Sequence, residues 1–409
     1  MKKAFLLSLS ILLTTIGFTQ IWQEVNINTT LKLNSVSFGS ELVGYIGAND
    51  STLFKTFDGG YTWAEFPTQG IDFSNGTPNI IQVDFVTADT GNIMLGTTPF
   101  GGTMYKTQDG GSTWIQDTTS MCAPVFTYNF DSQNAFVVGS SCFGGKTIDS
   151  KENGSWTWNT TYLSWGNEYL RTIDFYNSTY GIAAGDSGQV HRTFDAGATW
   201  DTVQTITPRI IWDVQFVNDS VIYAVIDSSS NSLMISIDSG ATWDYHHNSL
   251  TFLYPQFKAL EGMRGESVIA VGAASQANVG AIIWGSEHGT FWNVETTPEI
   301  LNNVGAVNDS IALAVGDSGL IMANFGIINS THPVPEKSTV QVYPNPASDG
   351  LIIQTSETVL DVTILDVVGK VVYTGNESQG ISVSHLKSGM YYVLVRTGNG
   401  KEVVPLVVE

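Results

Sequence analysis

Apolar residues recur along most of the chain in short runs, alternating or continuous, as in Val125–Phe130, Asn134–Gly139, Ile311–Gly316 and Leu320–Phe325. Each run ends at a cluster of Gly, Asn, Asp or Ser. That pattern predicts strands joined by tight turns rather than helices. Beyond Gly326 it changes character. Asn329–Lys337 carries Pro333 and Pro335 among polar residues and reads as a linker. Seven further runs follow: Thr339–Tyr343, Leu351–Thr355, Asp361–Asp366, Lys370–Tyr373, Ile381–Ser384, Met390–Arg396 and Glu402–Val408. So many short strands in so few residues predict a small β-sandwich over 338–409.

The turns of the long first part repeat. Thr56–Trp63, Thr107–Trp114, Thr193–Trp200 and Ser236–Trp243 all fit Ser/Thr-x-Asp-x-Gly-x-Thr-Trp. Degenerate copies hold Thr147, Asp149, Thr157 and Trp158, and Glu287, Gly289 and Trp292. The tryptophans 63, 114, 158, 200, 243 and 292 are spaced by 51, 44, 42, 43 and 49 residues, and Trp22 precedes Trp63 by 41. A period near 45 with several strands per repeat predicts a propeller of four-stranded blades. Six complete repeats end at Trp292, and a seventh stops at Phe325 without its outer strand. Ile21–Val25, which carries the same Trp, is placed to supply it. The expectation is an all-β chain: a seven-bladed β-propeller over 20–326, closed by its own N-terminal strand, then the sandwich.

These octapeptides resemble the Asp-box (BNR) propellers, in which the box is the turn between the outer two strands of a blade. A carboxylate that accepts N–H groups across the turn and a Gly at positive φ explain the residue choice. Asp58, Asp109, Asp195 and Asp238 are therefore structural. The stretch Gly181–Gly185 with Thr193-Phe194-Asp195 is similar to the photosystem II assembly/stability factor branch, which implies a non-catalytic binding scaffold. The tail resembles the type A C-terminal sorting domain of the Bacteroidetes type IX secretion system. Tyr343-Pro344-Asn345-Pro346, Asp366 with Gly369-Lys370-Val371-Val372, and Leu386–Tyr392 carry that resemblance. It implies a partnership with the type IX machinery through residues 338–409, and release or attachment at the cell surface.

Composition narrows the function classes. Charged residues are only 13% of the chain, and 38 acidic against 17 basic residues leave a net charge of −21. Such a chain is repelled by a phosphate backbone, so nucleic acid is not an expected partner. Lys2 and Lys3, the apolar run Ala4–Leu13, and Gly17 and Thr19 before Gln20 read as a signal peptide over 1–19. That run is too short for a comfortable membrane span and no other stretch of about twenty apolar residues exists, so no transmembrane segment is expected in the mature chain. The location is then secreted or surface-attached at the outer membrane, where Cys122 and Cys142 could form a disulfide or stay as free thiols.

Chemistry is harder to find. Gly185-Asp186-Ser187-Gly188 copies a fragment of a serine-protease motif, but Gly316-Asp317-Ser318-Gly319 repeats it in another blade, and both read as hairpin turns. The arginine triad of Asp-box sialidases is missing. Asp84, Asp174 and Asp213 sit on innermost strands, where a pair could serve a glycosidase but polar lining of a channel is the simpler reading. No spacing suits a metal, no cofactor is expected, and no catalytic residue is assigned. The expected function is a secreted or cell-surface scaffold binding an extracellular glycan or protein, with a polysaccharide-degrading glycoside hydrolase as the alternative. Trp165, Tyr169, Arg171, Arg209, Trp212 and Tyr254 cluster in loops that enter innermost strands, and form the expected ligand-binding patch.

Overall fold

The computed structural model describes residues 22–73, 78–96, 102–117, 123–129, 134–141, 145–151, 158–164, 168–228, 232–246, 256–263, 267–274, 279–286, 292–308, 310–325, 340–355, 358–366, 371–397 and 400–408. Strands dominate these residues, and the helical pieces among them are two short 3-10 turns. None is long and apolar enough to cross a membrane.

Among the described residues before 326 there are seven four-stranded antiparallel sheets. Their innermost strands are Leu33–Phe38, Asn79–Phe85, Ala123–Asn129, Leu170–Phe175, Ile211–Phe216, Gln256–Met263 and Leu301–Asn308. Six sheets are meanders in chain order. In the seventh the outermost strand comes from the other end of the chain: Gln23 pairs with Ala323 and Glu24 with Met322. The innermost strands neighbour one another in sequence, and that of the seventh sheet returns to that of the first. The sheets thus form a closed ring with no open edge left between its ends.

The second strand of each sheet is the buried one, as in Gly44–Ala48, Gly181–Gly185 and Ile222–Ile226, every residue of which is buried. Strands covered on both faces read as continuous apolar runs. Apolar clusters lie between successive sheets. One joins Ile182, Ala184 and Val190 to Val214, Ile222 and Met234, and Trp243 seals it. The repeat tryptophans 22, 63, 114, 158, 200, 243 and 292 each stand immediately before or at the start of an outermost strand. Trp22 meets Trp284 edge to face at 6.3 Å, which ties the N-terminal strand to the sixth sheet.

The octapeptide is a local hydrogen-bond cage. In the first copy Asp58 Oδ1 accepts from Thr56 Oγ1 (2.7 Å) and from the Thr62 amide (3.0 Å), and Oδ2 accepts from Thr62 Oγ1 (2.7 Å). Thr56 Oγ1 in turn accepts from the Gly60 amide at 3.1 Å. The same bonds recur around Asp109, Asp195 and Asp238. Trp63, Trp200 and Trp243 each donate Nε1–H to the octapeptide glycine carbonyl at 3.1 Å. Asp186-Ser187-Gly188 and Asp317-Ser318-Gly319 are tight turns between second and third strands.

Residues 340–408 form a three-stranded sheet and a four-stranded sheet around a shared core that includes Val342, Leu351, Ile353, Val362, Ile364, Val393 and Leu406. The seven strands fall where the sequence pattern puts them. Cys122 and Cys142 lie outside the described residues, beside a hairpin in which Ala123 pairs with Ser140.

Candidate functional site

Strand register fixes two distinct rims. Phe175 pairs with Gly181, and Gly181 with Thr193, so the octapeptides lie at the C-terminal ends of the innermost strands. Leu170 pairs with Gly185, which puts the Asp186–Gly188 turn at the opposite rim, where innermost strands begin.

Each innermost strand carries a β-bulge near its start. The displaced residues are Asn34, Ile81, Val125, Arg171, Trp212, Lys258 and Asn302, one per sheet. A bulge re-aims a side chain out of the pleat, and here it turns several onto the neighbouring sheet. Asn34 donates to Ile80 O (3.0 Å), Lys258 to Asn302 Oδ1 (3.2 Å), and Asn302 to Leu33 O (3.0 Å). Arg171 lies over the Trp212 ring at 4.6 Å and 5.9 Å from the centre of the Tyr169 ring. The Asp186 carboxylate holds Arg171 Nε at 2.7 Å and also accepts the Tyr169 amide.

Three residues of the expected patch therefore come together: Tyr169, Arg171 and Trp212, the last with 38% of its surface exposed. Arg209 lies on the same rim, where Nη1 donates to Asp227 O at 2.8 Å. Trp165 and Tyr254 lie outside the described residues. Beneath the patch Lys146 is fully buried, with Nζ 3.1 Å from Glu168 Oε2 and 2.9 Å from Gln189 Oε1. Ser187 donates to Glu168, and this bond, with Lys146 beside it, holds that carboxyl below its usual range. Sequence reasoning missed the bulges. Its only signal was that the aromatic and cationic residues crowd the strand starts.

The channel inside the ring holds a cavity of about 650 Å³ at the octapeptide end, and no patch residue lines it. Phe38, Tyr128, Tyr176 and Phe216 contribute rings, and Asp84, Asp174, Asp213 and Glu261 contribute carboxyls. Most of these polar groups bind the next sheet. Asp174 Oδ2 accepts Phe216 N–H (2.9 Å), and Asp213 Oδ2 accepts Leu260 N–H (2.8 Å). Glu261 accepts Ala306 N–H, and Asn303 Oδ1 accepts Val36 N–H at 3.0 Å. Ser35 and Ser37 serve Val83 and Phe85 likewise. Burial raises Asp213 to about 7 and Glu261 to about 8, and the neighbouring carboxylates add to both shifts. Among the described residues no group of three or more His, Cys, Asp or Glu could hold a metal ion.

None of the curated proteins compared with the chain matches it. Residues 341–409 match the family described as "Secretion system C-terminal sorting domain". Among solved structures, "YCF48 bound to D1 peptide" is 19% identical with a TM-score of 0.58, covering 74% of this chain and 94% of that one. "YCF48 from Cyanidioschyzon merolae" is 15% identical with a TM-score of 0.56, covering 74% and 98%. The WD40 propeller domain of Doa1, 10% identical, reaches a TM-score of 0.54 over 74% and 94%. Likeness at such low identity shows the fold alone. The chain is a β-propeller followed by a secretion-system C-terminal sorting domain.

Proposed function

We propose that this chain is an exported binding scaffold: a seven-bladed Asp-box propeller followed by an immunoglobulin-like sandwich that directs it through a type IX system. A signal peptide over 1–19 would start that route, and residues 338–409 would complete it. The bulge-bearing rim is the ligand surface, built on Tyr169, Arg171, Trp212 and Arg209. One observation carries this reading: bulges in adjacent sheets stack Arg171 on Trp212 at the channel mouth. A guanidinium laid on an indole offers directed donors beside a flat apolar face, which suits a carboxylate-bearing peptide or a sugar face. A solved structure of the same fold holds a peptide, which supports a protein ligand beside a glycan one. The hydrolase alternative draws no support from Asp174 and Asp213, whose oxygens accept main-chain N–H groups.

Two experiments test the reading. Arrays of extracellular glycans and peptides, probed with the full chain, should identify a ligand. Arg171→Ala and Trp212→Ala should each weaken it by about tenfold or more, roughly 1.4 kcal/mol, with little change in melting temperature. Undiminished binding by both variants removes the patch from the site. Deleting 338–409 should abolish surface display, and display unchanged by that deletion defeats the export reading.

A further inference from the structure

The second residue of the octapeptide points outward. Phe194 is 54% exposed there and Ile237 66%. Phe57 holds the same place in the first copy, yet only 2% of it is exposed. Its cover is the C-terminal domain. The Tyr392 ring lies 4.2 Å from that of Phe57, and Leu365 and Tyr392 join one apolar cluster with Val43, Tyr45, Phe57 and Phe66.

Alternation along the strands shows that these two residues are not spent on the sandwich itself. Val362, Ile364, Tyr391 and Val393 enter its core, whereas Leu365 and Tyr392 belong to the propeller-side cluster. Successive strand residues face opposite sides of a sheet, so Leu365 and Tyr392 project from the outer face. They are register partners on adjacent strands and form one two-residue knob. On a sandwich standing free, that knob would meet water. Lys55 sits beside it, 1% exposed among the rings of Tyr45, Phe57 and Phe66, with Nζ donating to Gly110 O at 2.8 Å. Asp366, next to Leu365, adds a negative charge that acts on this ammonium. Arg192 occupies the same position relative to its own octapeptide and donates to Ser239 O in the same way, but stays partly exposed.

We propose that the Lys55–Phe57 face of the first sheet is a dedicated seat for the C-terminal domain, which docks there through Leu365 and Tyr392 instead of trailing behind the propeller. Export machinery then meets propeller and tail as one body, with the outer face of that strand pair occupied. Loss of the tail uncovers a lysine set among the rings of Tyr45, Phe57 and Phe66.

Amine-reactive labelling of the full chain, read by mass spectrometry, tests the seat. Lys55 should react at least about tenfold more slowly than Lys32, whose side chain is 43% exposed. Leu365→Asp or Tyr392→Ala should abolish that protection and leave Lys32 unchanged, whereas Tyr392→Phe should keep it. Should a tail variant unfold the sandwich, Phe57→Ala leaves the sandwich core untouched. It should enlarge the radius of gyration seen by small-angle scattering, and Phe194→Ala should not. Lys55 labelled as fast as Lys32 in the wild type, Lys55 still protected in folded tail variants, or dimensions unchanged in Phe57→Ala overturns the proposal.

Discussion

Four octapeptides with the same hydrogen bonds hold their carboxylates in different surroundings. The hydroxyl and amide of Thr199, then the hydroxyl of Thr193, keep exposed Asp195 below the usual carboxylate range. Burial overrides the corresponding bonds at Asp58 and pushes it up. The backbone differs as well. The residue before the octapeptide glycine is left-handed in every copy: Gly59 (φ 77°), Gly110 (69°), Ala196 (61°) and Ser239 (61°). Glycine accepts that conformation freely, and alanine does not. Ser239 has partial compensation, since its hydroxyl donates to Asp219 O at 2.9 Å. Ala196 is exposed, and its methyl side chain has no donor or acceptor with which to offset the strain. Ala196→Gly should therefore stabilise the chain by up to about 1 kcal/mol, the relief of strain exceeding the added unfolded-state entropy. Urea unfolding checks the sign, and a destabilised variant refutes the strain argument.

Single strands gain their function from what the next strand does. An innermost strand leaves amide groups facing the channel, and side chains of the preceding sheet accept several of them. Burial of those acceptors couples stability to pH. Asp213 and Glu261 titrate at about 7 and about 8 in the folded chain, against 3.8 and 4.5 for ordinary groups. The folded state thus holds protons that the unfolded chain has released. Their contribution is complete below the ordinary values and is lost as pH rises through about 8. Glu261→Gln keeps an acceptor for Ala306 and removes the titration. Its melting temperature should equal that of the wild type near pH 4 and exceed it at pH 9. Parallel melting curves across this range would refute the linkage. The strands themselves are legible in the sequence, since apolar runs between turn residues mark them. Bulges are not, because Arg171 and Trp212 reveal their displacement only where the register skips them, between Leu170–Gly185 and Thr172–Ala184 and between Ile211–Ile226 and Asp213–Val225.

At the scale of the whole molecule, closure is the main structural device. Gln23 and Glu24 make a very short strand, but Trp22 before them is 3% exposed in a cluster with Met263, Trp284 and Met322. The tryptophan supplies most of the latch. Trp22→Ala should cost about 3–5 kcal/mol, as for other fully buried large side chains, and should loosen the ring where its two ends meet. Hydrogen exchange should then accelerate in Ile321–Asn324, the strand to which it pairs, ahead of the opposite sheets. Uniform loss of protection around the ring would show that closure is not local to this seam.

The repeat, the strand that closes it and the tail's own seven strands were set by the sequence alone. The physical reason is range. Every bond of the octapeptide lies within eight residues, so the turn is written wherever its residues occur, and a tryptophan at a constant offset counts the sheets. Tertiary structure alone decided which of those residues meet. Arg171 and Trp212 converge because bulges in two sheets displace them toward each other, and Tyr169 joins them because the Asp186 carboxylate that holds Arg171 also accepts the Tyr169 amide. Asp174 and Asp213 became main-chain acceptors because the next sheet's amides arrive beside them. Strand alternation says that Leu365 and Tyr392 face away from the sandwich core, but only the docked propeller turns that outward face into a buried one, with Phe57 as its partner.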